Sequence, residues 1–250
     1  MTPTRHGFTA PDGQKLAWWE MGEGSPVVLI HGLFSDATTN WIRYGHAARI
    51  AASGFRVVMP DLRAHGASAR PHDPAAYPPD VLARDGLALV EALGLEDYDL
   101  GGYSLGARTS VRMAIAGARP RRLVLGGMGL DGLLGTGARA DFFKQVLTGL
   151  GTHEVGSEAR RAEAFLKTTG GDPRALLPLL DSFVDSTADE LRSIAMPTLV
   201  VSGADDRDNG SAEALAALLP NARYVEIPGN HMSAVAKPDL GRAIADFLAE

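Results

Sequence analysis

The sequence predicts an α/β fold with a mostly parallel central sheet covered by helices on both faces. Three observations carry this. Short apolar, β-branched-rich runs that end in Gly, Pro or His recur along the chain. Helix-length periodic segments fill the gaps between them, and that alternation builds parallel βαβ units with right-handed crossovers. The 250 residues are 45% hydrophobic and 22% charged, enough to bury a full core without disulfide or metal staples.

In chain order, residues 5–9 and 16–20 read as an antiparallel hairpin at one sheet edge, joined by Pro11-Asp12-Gly13. Val27-Val28-Leu29-Ile30 and Phe55-Arg56-Val57-Val58-Met59 are strands, and His46 between them falls on a helix. Leu82, Gly86, Leu89 and Leu93 lie at i, i+4, i+7 and i+11, one face of a helix. A weak strand at 98–100 is followed by a helical stretch over 107–118, then a strand at 123–125. The segment 130–195 breaks the rhythm: it holds no convincing strand, only helical patterns at 138–150, 157–167 and 174–183. The strand 198–201 resumes the alternation. Ser211 is placed to cap a helix running through Leu215 to Leu219. Tyr224-Val225-Glu226-Ile227 alternates as an edge strand does, and Leu240, Ile244, Phe247 and Leu248 mark a last helix. The expected organisation is therefore a core domain in two parts, 1–129 and 196–250, with 130–195 inserted as a helical lid over one end of a sheet of about eight strands.

Charge and composition narrow the function. With 24 basic against 30 acidic residues the formal charge is −6, which gives no general attraction to nucleic acid or to an anionic membrane. The cluster Arg119, Arg121, Arg122 reads as a solvated turn between a helix and a strand. The chain contains no cysteine, which excludes disulfides, thiolate chemistry and cysteine metal sites. Residues 1–20 carry no basic-then-apolar pattern, and the longest apolar runs are strand-length. A cytoplasmic protein is the expectation.

The sharpest chemical signal is Gly102-Tyr103-Ser104-Leu105-Gly106, set between a strand and a helix. A strand turning directly into a helix puts Ser104 on a strained bend, with glycines that let the backbone pass close to its neighbours. The hydroxyl then stands above the sheet at a helix N-terminus, where developing negative charge is favoured. A serine hydroxyl needs a base. His231, in Pro228-Gly229-Asn230-His231, follows the last strand and so reaches the same sheet edge. His6, His72 and His153 fall in polar or unpatterned segments, whereas His31 and His65 lie in loops near that edge, His31 tying its loop down. The base needs a carboxylate to hold its tautomer. Asp206, just past the strand 198–201, is the expected acid, on the reasoning that an extended backbone points Asp205 the other way; Asp205, Asp208 and Asp131 are the alternatives. Backbone N–H groups of Leu105 and Leu33 are the expected oxyanion donors, with Phe34 the alternative to Leu33.

These pieces resemble the α/β-hydrolase superfamily, of the compact kind with a helical lid. The matching stretches are His31-Gly32-Leu33, Asp61-Leu62-Arg63-Ala64-His65-Gly66-Ala67-Ser68, Gly102 to Gly106, Gly203 to Asp206, and Gly229-Asn230-His231. Ala64, Ala107 and Asn230 depart from glycines common at those positions, and none is a catalytic group. The resemblance implies an α/β-hydrolase fold, the triad order Ser104, Asp206, His231, and no metal or organic cofactor. A small carboxylic ester, hydrolysed through an acyl-enzyme, is the expected substrate because it needs no machinery beyond these groups. Thioesters, lactones, C–C bonds, peracid formation and a ligand-receptor role are the other options such a triad serves. A serine at the elbow stands apart from the dehalogenase and epoxide-hydrolase branches, which use aspartate. Phe142, Phe143, Leu147, Phe165, Leu176, Leu180 and Phe183 supply the segment 130–195 with apolar bulk, for its own core or for an acyl pocket.

Overall fold

In the computed structural model, which describes all 250 residues, eight strands form one sheet. They are β1 (Thr4–Thr9), β2 (Lys15–Met21), β3 (Ser25–Ile30), β4 (Phe55–Pro60), β5 (Asp99–Tyr103), β6 (Leu123–Gly126), β7 (Thr198–Gly203) and β8 (Ala222–Ile227), in the order β1-β2-β4-β3-β5-β6-β7-β8. β1 pairs antiparallel with β2, and β2 with β4; every other pairing is parallel. This is the α/β-hydrolase fold, with the hairpin at one edge and β8 at the other.

Two cores flank the sheet, and the period of two along each strand divides the residues between them. Val28, Ile30, Leu100, Leu123, Leu125 and Val200 face one core with the helices α2 (Val81–Ala92) and α3 (Leu105–Ile115). Val27, Leu29, Val57, Val124, Leu199 and Val201 face the other, under α1 (His46–Ala52) and the last helix. Gly86 of α2 lets α3 approach, since a Cβ there would sit 2.5 Å from the Met113 sulfur. The basic cluster after α3 does more than meet solvent. Arg121 donates to the Asp99 carboxylate at 2.8 Å, and Asp99 is fully buried at the start of β5, so the ion pair offsets a buried charge.

Five helices separate β6 from β7: α4 (Asp131–Leu134), α5 (Gly137–Thr148), α6 (Glu158–Thr169), α7 (Pro173–Asp181) and α8 (Ala188–Arg192). Side chains of Ser157, Asp172 and Thr187 accept from N–H groups of the first turns of α6, α7 and α8, which fixes where each begins. Beyond β7 come α9 (Ala212–Leu218), capped by Ser211, then α10 (His231–Ala234) and α11 (Pro238–Leu248). No helix is long and apolar enough to cross a membrane.

The sheet register positions the site. Ile30 pairs with Gly102, and Tyr103 with Gly126, so the loops after β3, β5 and β6 leave the sheet side by side. The chain runs from β3 outward to β4 and then back across to β5, and the crevice at such a reversal is where open α/β sheets hold ligands.

Candidate active site

Ser104 joins β5 to α3 with φ 54° and ψ −116°, a conformation that costs a non-glycine residue on the order of 1–3 kcal/mol. The glycines on either side are required by contact. A Cβ on Gly102 would lie 2.3 Å from the Gly106 carbonyl carbon, and one on Gly106 would lie 2.0 Å from the Ile30 carbonyl oxygen. The bend therefore forms only if both positions lack side chains, and it lifts Ser104 out of the sheet.

His231 reaches Ser104 from the far side. Its Nε2 lies 3.0 Å from Ser104 Oγ, and its Nδ1 lies 2.9 Å from Asp206 Oδ2. An ionised carboxylate only accepts, so Nδ1 carries a proton and the neutral ring leaves Nε2 free to accept from the serine hydroxyl. His231 and Asp206 are each 8% exposed. Asn230, where glycine is common in the resembling family, caps α10: its side chain accepts from Ser233 N–H while Ser233 Oγ accepts from Asn230 N–H. That cap holds the helix whose first residue is His231.

The acid loop is a turn, which corrects the expectation of an extended backbone with alternating side chains. Asp206 N–H donates to the Gly203 carbonyl at 2.9 Å, and Asp205 N–H to Gly229 at 3.0 Å. The closure of the turn, not alternation, aims Asp206 at His231; its second oxygen accepts from Asp208 N–H at 3.1 Å. Asp208 is instead paired with Arg139, and Asp131 lies against Gly210 at the start of α4.

His31 and His65 are structural. His31 Nδ1 donates to the Gly32 carbonyl at 2.8 Å while Nε2 accepts from Leu62 N–H at 3.0 Å. His65 Nδ1 donates to the Arg63 carbonyl at 3.0 Å while Nε2 accepts from Phe34 N–H at 3.2 Å. Each ring is thus used on both sides in its neutral form. Burial, with the neighbouring His31 adding to it, pulls His65 down to about 3. Asp61 completes the brace, accepting from Ala37 and Ala67 N–H groups at 2.9 and 3.0 Å. Phe34 N–H is therefore committed to His65. The N–H groups of Leu33 and Leu105 have no intramolecular partner, and both residues line a cavity with Ser104. Two idle donors beside the Ser104 hydroxyl suit an oxyanion.

One site residue has no signature in the sequence. Tyr103, the variable position before Ser104, is buried and donates its hydroxyl to the His231 carbonyl at 2.7 Å. Only its place in the elbow motif could have drawn attention to it.

Three cavities meet at Ser104. One, of about 50 Å³, is bounded by Leu33, Leu105, Arg108, Phe143 and Phe183. A second, of about 160 Å³, is bounded by His231, Asn40, Tyr44, Met232 and Val235, and a third, of about 120 Å³, by His231, Phe34, Arg139, Phe142 and Phe165. Of the aromatic residues between β6 and β7, Phe143 and Phe183 thus wall the first cavity, and Phe142, Phe143 and Phe165 wall the third. Leu147, Leu176 and Leu180 are buried in the helical layer itself.

A strand–serine–helix elbow with a histidine and an aspartate delivered by later strand ends defines a class of hydrolytic α/β protein. The chain matches the Alpha/beta hydrolase family over residues 27–240 and belongs to it. It is 34% identical over 113 residues to an epoxide hydrolase of Caballeronia sordidicola, a match that covers 45% of this chain and only 33% of that protein. It is 27% identical over 257 residues to a non-heme haloperoxidase of Rhodococcus erythropolis, covering 88% of this chain and 90% of that one. Among solved structures, a hydrolase from Pseudomonas aeruginosa PA01 superposes with a TM-score of 0.80 at 24% identity, over 99% of both chains.

Proposed function

We propose that the protein is a serine hydrolase that cleaves small carboxylic esters through an acyl-enzyme on Ser104. The observation that carries this is the hydrogen-bonded line from Ser104 Oγ through His231 to Asp206, facing two unpartnered backbone N–H groups. His231 takes the hydroxyl proton as Ser104 attacks the ester carbonyl, and the N–H groups of Leu33 and Leu105 hold the tetrahedral oxyanion. The alcohol leaves with the proton returned by His231 Nε2. Water, deprotonated by the same nitrogen, then attacks the acyl-enzyme and frees the acid. The helices over 130–195 act as the lid that closes the acyl cavity.

The serine also separates this chemistry from epoxide opening, whatever the relatives catalyse. Serine attack on an oxirane leaves an alkyl ether with no carbonyl for water to attack, so the enzyme could not turn over. A carboxylate nucleophile leaves an ester, which water can cleave.

The test is a fluorophosphonate probe together with a panel of esters, thioesters and lactones graded by acyl length. Labelling confined to Ser104, with esters the best substrates and Ser104→Ala inactive but folded, is the expected result. Labelling at another serine, or an active alanine variant, removes the assignment; faster turnover of thioesters or lactones moves the substrate class.

A further inference from the structure

Arg108 lies one helical turn beyond Ser104 on α3, its N–H donating to the Ser104 carbonyl at 3.0 Å. The two side chains therefore rise from the same face of the helix. Arg108 is 6% exposed, yet no carboxylate stands within ion-pairing distance of it. One Nη donates to the Val184 carbonyl, the guanidinium lies 5.0 Å from the centroid of the Phe183 ring, and the Nε–H has no partner at all. The nearby acids are committed elsewhere. Asp80 binds Arg112, and Asp185 accepts from both the N–H and the hydroxyl of Thr136.

The protein's other deeply buried arginines follow the usual rule that a buried charge is paired. Arg63 is bidentate on Asp85, and Arg112 is bidentate on Asp80. Arg139, which walls the same cavity as Arg108, is bound to Glu158 and Asp208. Arg108 alone combines a buried guanidinium, an idle donor and a place in the wall of the cavity that holds the nucleophile.

We propose that Arg108 is the anion anchor of the acyl pocket, and that the substrate's acyl part carries a carboxylate a short chain away from the scissile carbonyl. This rests on the reading of Ser104 as the nucleophile of an ester hydrolase. Burial draws Arg108 down to about 10, so it is still a cation at neutral pH. The side of the site follows from proton transfer. The leaving oxygen takes its proton from His231, so the alcohol occupies one of the two cavities that His231 lines; the Arg108 cavity has no part of His231 and receives the acyl group. Its volume of about 50 Å³ admits only a short chain. The reaction consumes one water and releases an alcohol and a dicarboxylate; Arg108 neither gives nor takes a proton.

The experiment compares monoethyl succinate and monoethyl glutarate with their neutral isosteres, ethyl 4-methylpentanoate and ethyl 5-methylhexanoate. In parallel, calorimetry measures binding of free succinate and glutarate to the unmodified protein. The expected result is a kcat/KM at least tenfold higher for one charged ester than for its isostere, a ratio that falls at least tenfold in Arg108→Met and is partly kept in Arg108→Lys. The dicarboxylate should bind the parent protein and the lysine variant but not Arg108→Met, whose fold is checked by circular dichroism. Equal or better turnover of the neutral isosteres at both chain lengths, or no dicarboxylate binding by the parent, overturns the proposal. Binding that depends on Arg108 while no ester is cleaved supports the anchor and overturns the hydrolase reading instead, so the two failures are distinguishable.

Discussion

The Tyr103 hydroxyl donates to the backbone carbonyl of His231 across 128 residues of sequence, at 2.7 Å and out of solvent. The residue that precedes Ser104 thereby holds the residue whose imidazole meets the Ser104 hydroxyl. The ring lies beside the imidazole, 5.4 Å between centroids, so the bond sets both the height and the lateral position of the imidazole.

Tyr103→Phe keeps the ring and removes the bond. Leaving the His231 carbonyl without its donor should lower stability by about 1 kcal/mol, with a fall in kcat of roughly fivefold if the same loss is felt at the transition state. Thermal unfolding and steady-state kinetics read the two effects. Unchanged kcat together with an unchanged Tm would mean that the loop holds His231 unaided.

Asp206→Asn should reduce kcat by about 10⁴, because an amide favours the wrong imidazole tautomer and cannot stabilise the imidazolium. Asp205→Asn and Asp208→Asn should each cost less than about tenfold, since neither carboxylate reaches His231 and surface changes are commonly small. Kinetics of the three variants on one ester decide the matter; an inactive Asp205 variant beside an active Asp206 variant would reverse it.

Gly106→Ala should destabilise the protein by about 3 kcal/mol or more, because the new methyl falls 2.0 Å from the Ile30 carbonyl oxygen and only a shift of α3 away from the sheet relieves it. Gly135→Ala meets nothing within 4 Å and should stay within about 0.5 kcal/mol of the parent. Urea unfolding of both variants is the measurement, and comparable stabilities would contradict the contact.

His65 makes the brace between its two loops sensitive to acid. Its folded value, about 3, lies below the ordinary 6.5, so the unfolded chain binds a proton that the native state refuses. Stability from this group is fully present above pH 6.5 and drains as pH falls towards 3, by about 1.4 kcal/mol per pH unit. Burial lowers His31 and His46 as well, which steepens the same loss. Urea midpoints measured between pH 7 and pH 4 should fall accordingly, and His65→Gln should flatten the slope by about one proton's worth. A parent whose midpoint is independent of pH over that interval would rule the argument out.

Much of this molecule was legible in one dimension. The strand runs, the hairpin at the edge, the strandless segment between β6 and β7, and the Ser211 cap all express local rules: side-chain period, backbone propensity and the demand for a cap. The elbow was legible for the same reason, since a strained φ and two glycines are local requirements. Ser104, Asp206 and His231 could be chosen because parallel strands deliver the residues just past their ends to one edge. What the tertiary structure decided is everything that depends on distance without period. Nothing in the sequence ties Tyr103 to His231, gives Arg121 the buried Asp99 to neutralise, or leaves Arg108 without a carboxylate. Asp206 meets His231 for a reason the sequence does not contain: a turn closed by Gly203 aims it, and whether a loop turns or extends is set by the chain it packs against. Local patterns state which residues are near an edge; only packing, which pairs or abandons each buried polar atom, states what they face there.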